Sequence, residues 1–192
     1  MILDLFSYFA KFPSKSGVLS IFNNGSSTYA QYSELHNVIV NLPAPLVPTI
    51  QSYVFGQSFE SVKARIDNLT GTYLFIDYGE FSSKSDYRNS IEDSQKLAAT
   101  VAMKISDTSD LVEEAIASDI CLELLTTLRT YFLYDAESGN ISWLNRSTIK
   151  NHDIIPFVAK ELKSIGWTMI FETNASDLFN VKRRAMVSDI KQ

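Results

Sequence analysis

The stretch "ELKSIGWTMIFET", Glu161 to Thr173, decides the fold that we predict for this chain. From Ile165 onward, apolar side chains occupy every second position, at Ile165, Trp167, Met169 and Phe171. Small or polar residues fill the positions between them, apart from Ile170. Alternation with a period of two is typical of a β-strand that has one face against a core. Another element of the chain must therefore cover that face.

A long helix earlier in the chain is the best candidate for this cover. In "DLVEEAIASDICLELLTTLRTYFLYD", Asp110 is placed as the N-cap and Glu113 follows three residues later, in the order of a capping box. Apolar residues at helical spacing form a wide stripe, which comprises Val112, Ile116, Ile120, Cys121, Leu124, Leu128 and Phe132. We predict that this stripe covers the strand, so that Leu124 and Trp167 share one core.

Two further strands are predicted before that helix. Tyr73 to Ile76, within "GTYLFIDYGEF", is nearly all apolar and predicts a strand that is central in its sheet. "KLAATVAMKI", Lys96 to Ile105, predicts the next strand. The polar residues Gly79 to Gln95 between them imply a long hairpin. Its tip is either a solvated loop or a segment that reaches across an interface.

Shorter elements follow from local signals. Ser58 to Leu69 predicts a helix that begins at a serine, and "ISWLN" (141–145) predicts a short strand. Gly17 to Ser27 resembles a strand that runs into an Asn-Gly turn. The three prolines of "NLPAPLVPTIQ" (41–51) exclude a regular helix and favour an extended segment.

The opening "MILDLFSYFAKF" has helical spacing at Ile2, Leu5, Phe6 and Phe9 and predicts a helix that Pro13 ends. This helix is either packed on the core of its own chain or an arm that docks on a neighbouring subunit. The segment lacks a basic start and is too short to span a bilayer, so we expect neither a signal peptide nor a membrane anchor here.

Together these elements predict the α+β class: a largely antiparallel sheet with a long hairpin, and helices packed on one face. Residues 1–48 are predicted as an appendage, 49–180 as the core domain, and 181–192 as a basic tail. The tail concentrates Lys182, Arg183, Arg184 and Lys191. It is either a solvated end or an arm that pairs with an acidic neighbour.

Composition limits the partners. The formal net charge of -5 and the pI near 5.0 argue against a protein that coats nucleic acid or an anionic membrane. Cys121 is the only cysteine, so no disulfide forms within the chain. We expect Cys121 to be a core residue.

The motifs of common catalytic sites are absent from the sequence. The chain has no glycine-rich phosphate loop and no G-x-S-x-G, and its only histidines, His36 and His152, form no H-E-x-x-H. We therefore predict no catalytic, cofactor or metal site. Asp77, Glu80 and His152 are the residues on which an enzyme would depend. Asp77 is expected at a strand end and His152, next to Asp153, in a solvated loop.

The order of elements from Tyr53 to Asn180 resembles the tail-completion proteins of tailed bacteriophages, the tail-terminator and neck-ring group, including forms from phages of Bacteroidetes. The residues that carry the resemblance are "TGTYLFIDYGEF", the polar hairpin, "KLAATVAMKISDTSDLVEEAIASDICLELLTTLRTYF" and "IGWTMIFETNASDLFN". Residues 1–48 lie outside it.

The resemblance implies a structural virion protein without catalysis, which forms a homo-oligomeric ring between head and tail. Its partners would be the portal or connector and the tail proteins, with assembly in the cytoplasm of the bacterial host and no membrane. DNA would pass through the lumen without sequence-specific binding, and an acidic wall suits that passage. The alternative is a monomeric protein-binding module of α+β fold, which would show the same elements but no self-association.

Overall fold

The computed structural model describes residues 2–22, 27–85, 91–141, 143–144 and 151–174. The described helices are α1 (Ile2–Phe9), α2 (Lys15–Leu19), α3 (Ala30–Val40), α4 (Phe59–Asp67) and α5 (Leu111–Ser138). The described strands are β1 (Ser52–Gly56), β2 (Thr72–Asp77), β3 (Phe81–Ser85), β4 (Ile91–Lys104), β5 (His152–Ala159) and β6 (Ser164–Asn174). A short 3-10 turn, Lys160–Leu162, links β5 to β6.

The strands form one sheet in the order β1-β2-β4-β6-β5, and β3 pairs with the first part of β4. β1 and β2 are parallel, and the other described pairs are antiparallel. The predicted α+β class with a largely antiparallel sheet is therefore confirmed. Parallel neighbours need a crossover connection, and α4 supplies it between β1 and β2.

The helices do not all lie on one face of the sheet. Leu74 and Ile76 of β2 belong to the main core, with residues of α1, α3 and α5. Tyr73 and Phe75, whose side chains alternate with them, form a second core with α4. Both faces of β2 are therefore buried, as predicted for a central strand. The predicted helix after Ser58 is also confirmed, since the Ser58 hydroxyl accepts a hydrogen bond from Ser61 N at 3.3 Å.

The apolar face of β6 packs against α5. Ile165, Met169 and Phe171 are buried, and α5 lies across them. The rings of Phe171 and Phe132 are 4.7 Å apart, and Trp167 Nε1 donates to the Ser118 carbonyl at 3.1 Å. The prediction that this face meets the long helix is confirmed.

The buried side of α5 differs from the predicted stripe. The residues that face the core are Ala117, Cys121, Leu125, Leu128, Phe132 and Ala136. Val112, Ile116 and Ile120 are exposed, and Leu124 is only partly buried beside the same core as Trp167. Each step of four residues turns about 40° further than a full helical turn. Ile120, Ile116 and Val112, which precede Leu124 in steps of four, therefore lie progressively further from the side of the helix that faces the sheet.

The ends of α5 agree with the sequence except in one respect. Asp110 Oδ1 accepts hydrogen bonds from Val112 N at 2.9 Å and Glu113 N at 3.1 Å, so the predicted N-cap is confirmed. The reciprocal half of the capping box is wrong, because the Glu113 carboxylate accepts from Ser106 N at 2.7 Å instead. Gly139 ends the helix in the left-handed conformation that glycine tolerates.

Residues near the start of the chain belong to the main core. Leu5, Phe6 and Phe9 of α1 are buried in the same cluster as the sheet and α5. Tyr8 Oη donates to Asp135 Oδ2 at 2.8 Å, and Lys11 forms an ion pair with the same carboxylate. The boundary at residue 48 stays a prediction. Of the two placements predicted for the N-terminal helix, the structure shows packing on the core of its own chain.

Several local expectations change as well. The strand predicted at Gly17 to Ser27 is wrong, because α2 covers Lys15–Leu19 and begins at the Ser14 N-cap. Its Asn-Gly turn lies outside the described residues. The polar stretch 79–95 contains β3 and the start of β4, with 86–90 outside the description. Ile141, Trp143 and Leu144 of "ISWLN" are not in a strand, whereas 41–51 has no helix, as predicted.

Candidate functional site

An exposed apolar surface runs along the first half of α5. Val112, Ile116 and Ile120 are 68%, 57% and 38% exposed and follow one another at steps of four residues, so they lie along one side of the helix. We call these three residues the α5 ridge. It lies at the end of the sheet marked by Ile165, because Ala117 contacts Ile105 and Ile165 in a small core of their own.

A β-hairpin extends from the opposite end of the sheet. β4 is 14 residues long, and its first residues, up to Gln95, pair with β3. β6 ends beside the base of this hairpin, with Asn174 opposite Ser94. The hairpin and the α5 ridge are therefore separated along β4, since Met103 and Ile91 are about 40 Å apart at 3.3 Å per residue.

β5 forms one edge of the sheet. Among the described strands it pairs with β6 alone, and Ile155 and Val158 are exposed on it. Pro156 lies in the middle of this strand, and proline suits an edge because it has no N–H to donate to a further strand. This edge is therefore poorly suited to sheet extension.

The residues on which an enzyme would depend are not brought together. Asp77 lies at the end of β2, and His152 begins β5, with β4 and β6 between them. Three strand spacings separate the two residues by about 14 Å. Their side chains also belong to opposite faces, because His152 pairs with Phe171 on the α5 side and Asp77 follows the alternation of Tyr73 and Phe75.

Each of these groups has a local structural partner. Asp77 Oδ1 accepts from Gly79 N at 2.9 Å, and burial raises the pKa of its carboxyl group above the ordinary value. His152 Nε2 accepts from Arg129 Nε at 2.7 Å, so this side chain ties β5 to α5. The prediction that His152 lies in a loop is wrong.

Glu80 contributes to a polar cavity of about 330 Å³ at the base of the hairpin. The cavity is lined by Glu80, Ser82, Lys96, Asn151, Asp153, Ile170, Phe171 and Glu172. Ser94 Oγ donates to Glu172 Oε1 at 2.6 Å beside it. In the part of the chain that the structure describes, no group of His, Cys, Asp or Glu side chains is arranged to hold a metal ion.

Cys121 is buried against the sheet, as expected from the sequence, and its Sγ lies 3.6 Å from the Ile165 carbonyl. Burial raises the pKa of this thiol to about 12. The reactive thiolate is therefore scarce in the folded protein at neutral pH.

We predict that iodoacetamide does not modify Cys121 in the native protein at pH 8 but adds one group per chain in denaturant. An unfolded thiol ionises near pH 8.5, whereas the folded thiol holds its proton up to a pKa of about 12. The contribution of this thiol to stability is therefore complete below about pH 8.5 and is lost as the pH rises towards 12. Intact-mass spectrometry measures the adduct, and fast labelling of native protein would contradict the burial.

No protein-family model, curated protein or solved structure matches this chain. Among the described residues, no helix is long and apolar enough to cross a membrane. The predicted basic tail, residues 181–192, lies outside the described part.

Proposed function

We propose that this protein is a structural subunit that assembles into a closed ring at the head–tail junction of a tailed bacteriophage, without catalysis. The observation that carries the proposal is the placement of the hairpin and the α5 ridge at opposite ends of one subunit. A contact that joins two different surfaces is head-to-tail, and it forms a ring when its rotation divides a full turn.

The two surfaces have the character of contact sites. Large apolar side chains are exposed on the ridge, and Phe81 is exposed on β3. Exposed apolar side chains that adjoin one another favour association with another protein. In the proposed ring, the hairpin of one subunit lies on the next subunit, and the portal or connector and the tail proteins bind the two rims.

The charge of the chain supports the proposed lumen. With a net charge of -5, the averaged surface repels DNA, so DNA can pass without being held. This argument concerns passage alone and assigns no residue to the lumen wall.

A monomeric protein-binding module remains the alternative, because the exposed α5 ridge would also suit binding to a different protein. The two proposals predict complexes of different mass. A ring subunit self-associates, alone or on a neighbouring virion protein, whereas a module stays monomeric with its partner bound.

We expect electron microscopy of particles that carry the protein to show one ring of density in the neck. We also expect the purified chain to sediment as a closed oligomer, or to do so once the neighbouring virion protein is added. Scattered single copies on the particle would contradict the ring.

The Phe81→Ser variant should reduce ring formation, because it removes an exposed aromatic side chain from the hairpin. Tyr29→Ala is the control, since Tyr29 is exposed before α3, far from the hairpin in sequence, and alanine adds no cap to that helix. Both variants should melt at the temperature of the parent chain. If Phe81→Ser assembles as the parent does, the hairpin is not the contact.

A further inference from the structure

We propose that the α5 ridge is the docking surface for residues 181–191 of a neighbouring copy of the chain. This inference rests on the proposed ring and names one of its contacts. It follows from the chemistry of the ridge, the chemistry of the segment and the place at which the segment leaves the sheet.

The ridge is apolar, and the exposed charged side chains beside it on α5 are acidic. Asp119 and Glu123 are exposed and lie three residues after Ile116 and Ile120, so each carboxylate adjoins a ridge side chain. α5 holds six acidic residues and one basic residue, Arg129, which is bonded to His152. A ligand for this surface should therefore combine apolar and basic side chains.

Residues 181–191 have that combination. Lys182, Arg183, Arg184 and Lys191 stand among the apolar residues Val181, Met186, Val187 and Ile190. Together, residues 175–192 carry four basic and two acidic side chains, whereas the whole chain has a net charge of -5. The segment therefore complements the ridge in both charge and apolar character.

The position of β6 favours a neighbour over the same chain. β6 ends at Asn174 beside the hairpin, whereas Ser118, which is level with the ridge along the helix axis, contacts Trp167 on the sheet side of α5. Trp167 and Asn174 are about 23 Å apart along the strand. Residues 175–181 would therefore have to be fully extended to reach the ridge of the same chain, because seven extended residues span roughly that distance. A head-to-tail neighbour instead presents its ridge at the end where the segment leaves the sheet.

The test is the binding of a labelled peptide with the sequence of residues 175–192 to the full-length K182E/R183E/R184E chain, in which the endogenous segment is impaired. We expect saturable binding by fluorescence anisotropy that weakens as salt is raised. Adding D119K/E123K to the chain should weaken binding by roughly 10-fold or more, because two attractive charges become repulsive. A peptide with Lys182, Arg183 and Arg184 changed to glutamate should bind this second chain better than the native peptide does.

Controls separate the ridge from general stickiness. I116S/I120S in the same chain should also weaken peptide binding by roughly 10-fold, through the loss of apolar contact. Ile155→Ser, which removes an exposed apolar side chain from β5, should leave binding unchanged. The substitutions on α5 and β5 should leave the melting curve unchanged, since those side chains are exposed.

The outcomes distinguish this inference from the proposed function. No peptide binding, or equal binding to chains with and without D119K/E123K, overturns the docking surface even if rings form. Specific peptide binding, together with a parent chain that never forms rings even with its virion partner, upholds the surface and contradicts the proposed function. Unchanged self-association of the K182E/R183E/R184E chain relative to the parent would overturn the contact between copies.

Discussion

Replacing Phe132 with alanine should lower the free energy of unfolding by about 3–5 kcal/mol, the range for truncating a buried phenylalanine. Phe132 is fully buried on α5, and its ring contacts those of Phe9 and Phe171 at 6.0 and 4.7 Å. It therefore joins α1, α5 and β6 within one core. The alanine variant leaves a cavity that these three elements can close only by shifting together.

Urea titration followed by circular dichroism measures this loss. Tyr134→Ala is the matched control, because Tyr134 is on the same helix, two residues away, and is 72% exposed. A surface substitution of this kind should change stability by about 0.5 kcal/mol or less. Equal effects of the two substitutions would show that α5 does not bury the side that the structure assigns to the core.

Replacing Phe9 with alanine should also cost about 3–5 kcal/mol. Phe9 is fully buried on α1 and contacts the rings of Phe12, Phe132 and Trp143. The expected loss is large because α1 fills space between α5 and the rest of the core. A helix that docked only on another subunit would give no such loss in the monomer.

Leu3→Ala is the control for this prediction, since Leu3 is on the same helix and exposed. The double variant with Phe132→Ala should lose less than the sum of the two single losses, because the two rings are in contact. A Phe9→Ala variant as stable as the parent at all protein concentrations would contradict the packing of α1 on the core of its own chain.

The features that could be predicted are those whose signal is local. β6 alternates with a period of two, β2 is a short apolar run, and Asp110 has the side chain that an N-cap needs. Each of these depends on residues within a few positions of one another, so the sequence contains the whole cause. α3, β1 and β5 were not predicted, because the first two turns of α3 are mostly polar, β1 has only five residues, and Pro156 interrupts the apolar run of β5.

The α5 ridge could not be predicted from the sequence. The apolar residues of α5 were visible in the sequence, but they cover more of the helix than one sheet can bury. The side of α5 that carries Ala117 and Cys121 packs on the sheet, and this rotation leaves the α5 ridge exposed. Apolar spacing alone does not show which of two overlapping stripes, the predicted one or the one observed, faces the sheet.

The α+β class, the central strand, the long helix with its N-cap and the apolar face of β6 could be read from the residues alone, because each follows from short-range periodicity or capping. The place of α1 in the core, the position of α4 on the opposite face and the exposure of the α5 ridge could not. Those outcomes depend on which side chains from distant positions fill the same space, and close packing settles this only when all the elements are assembled.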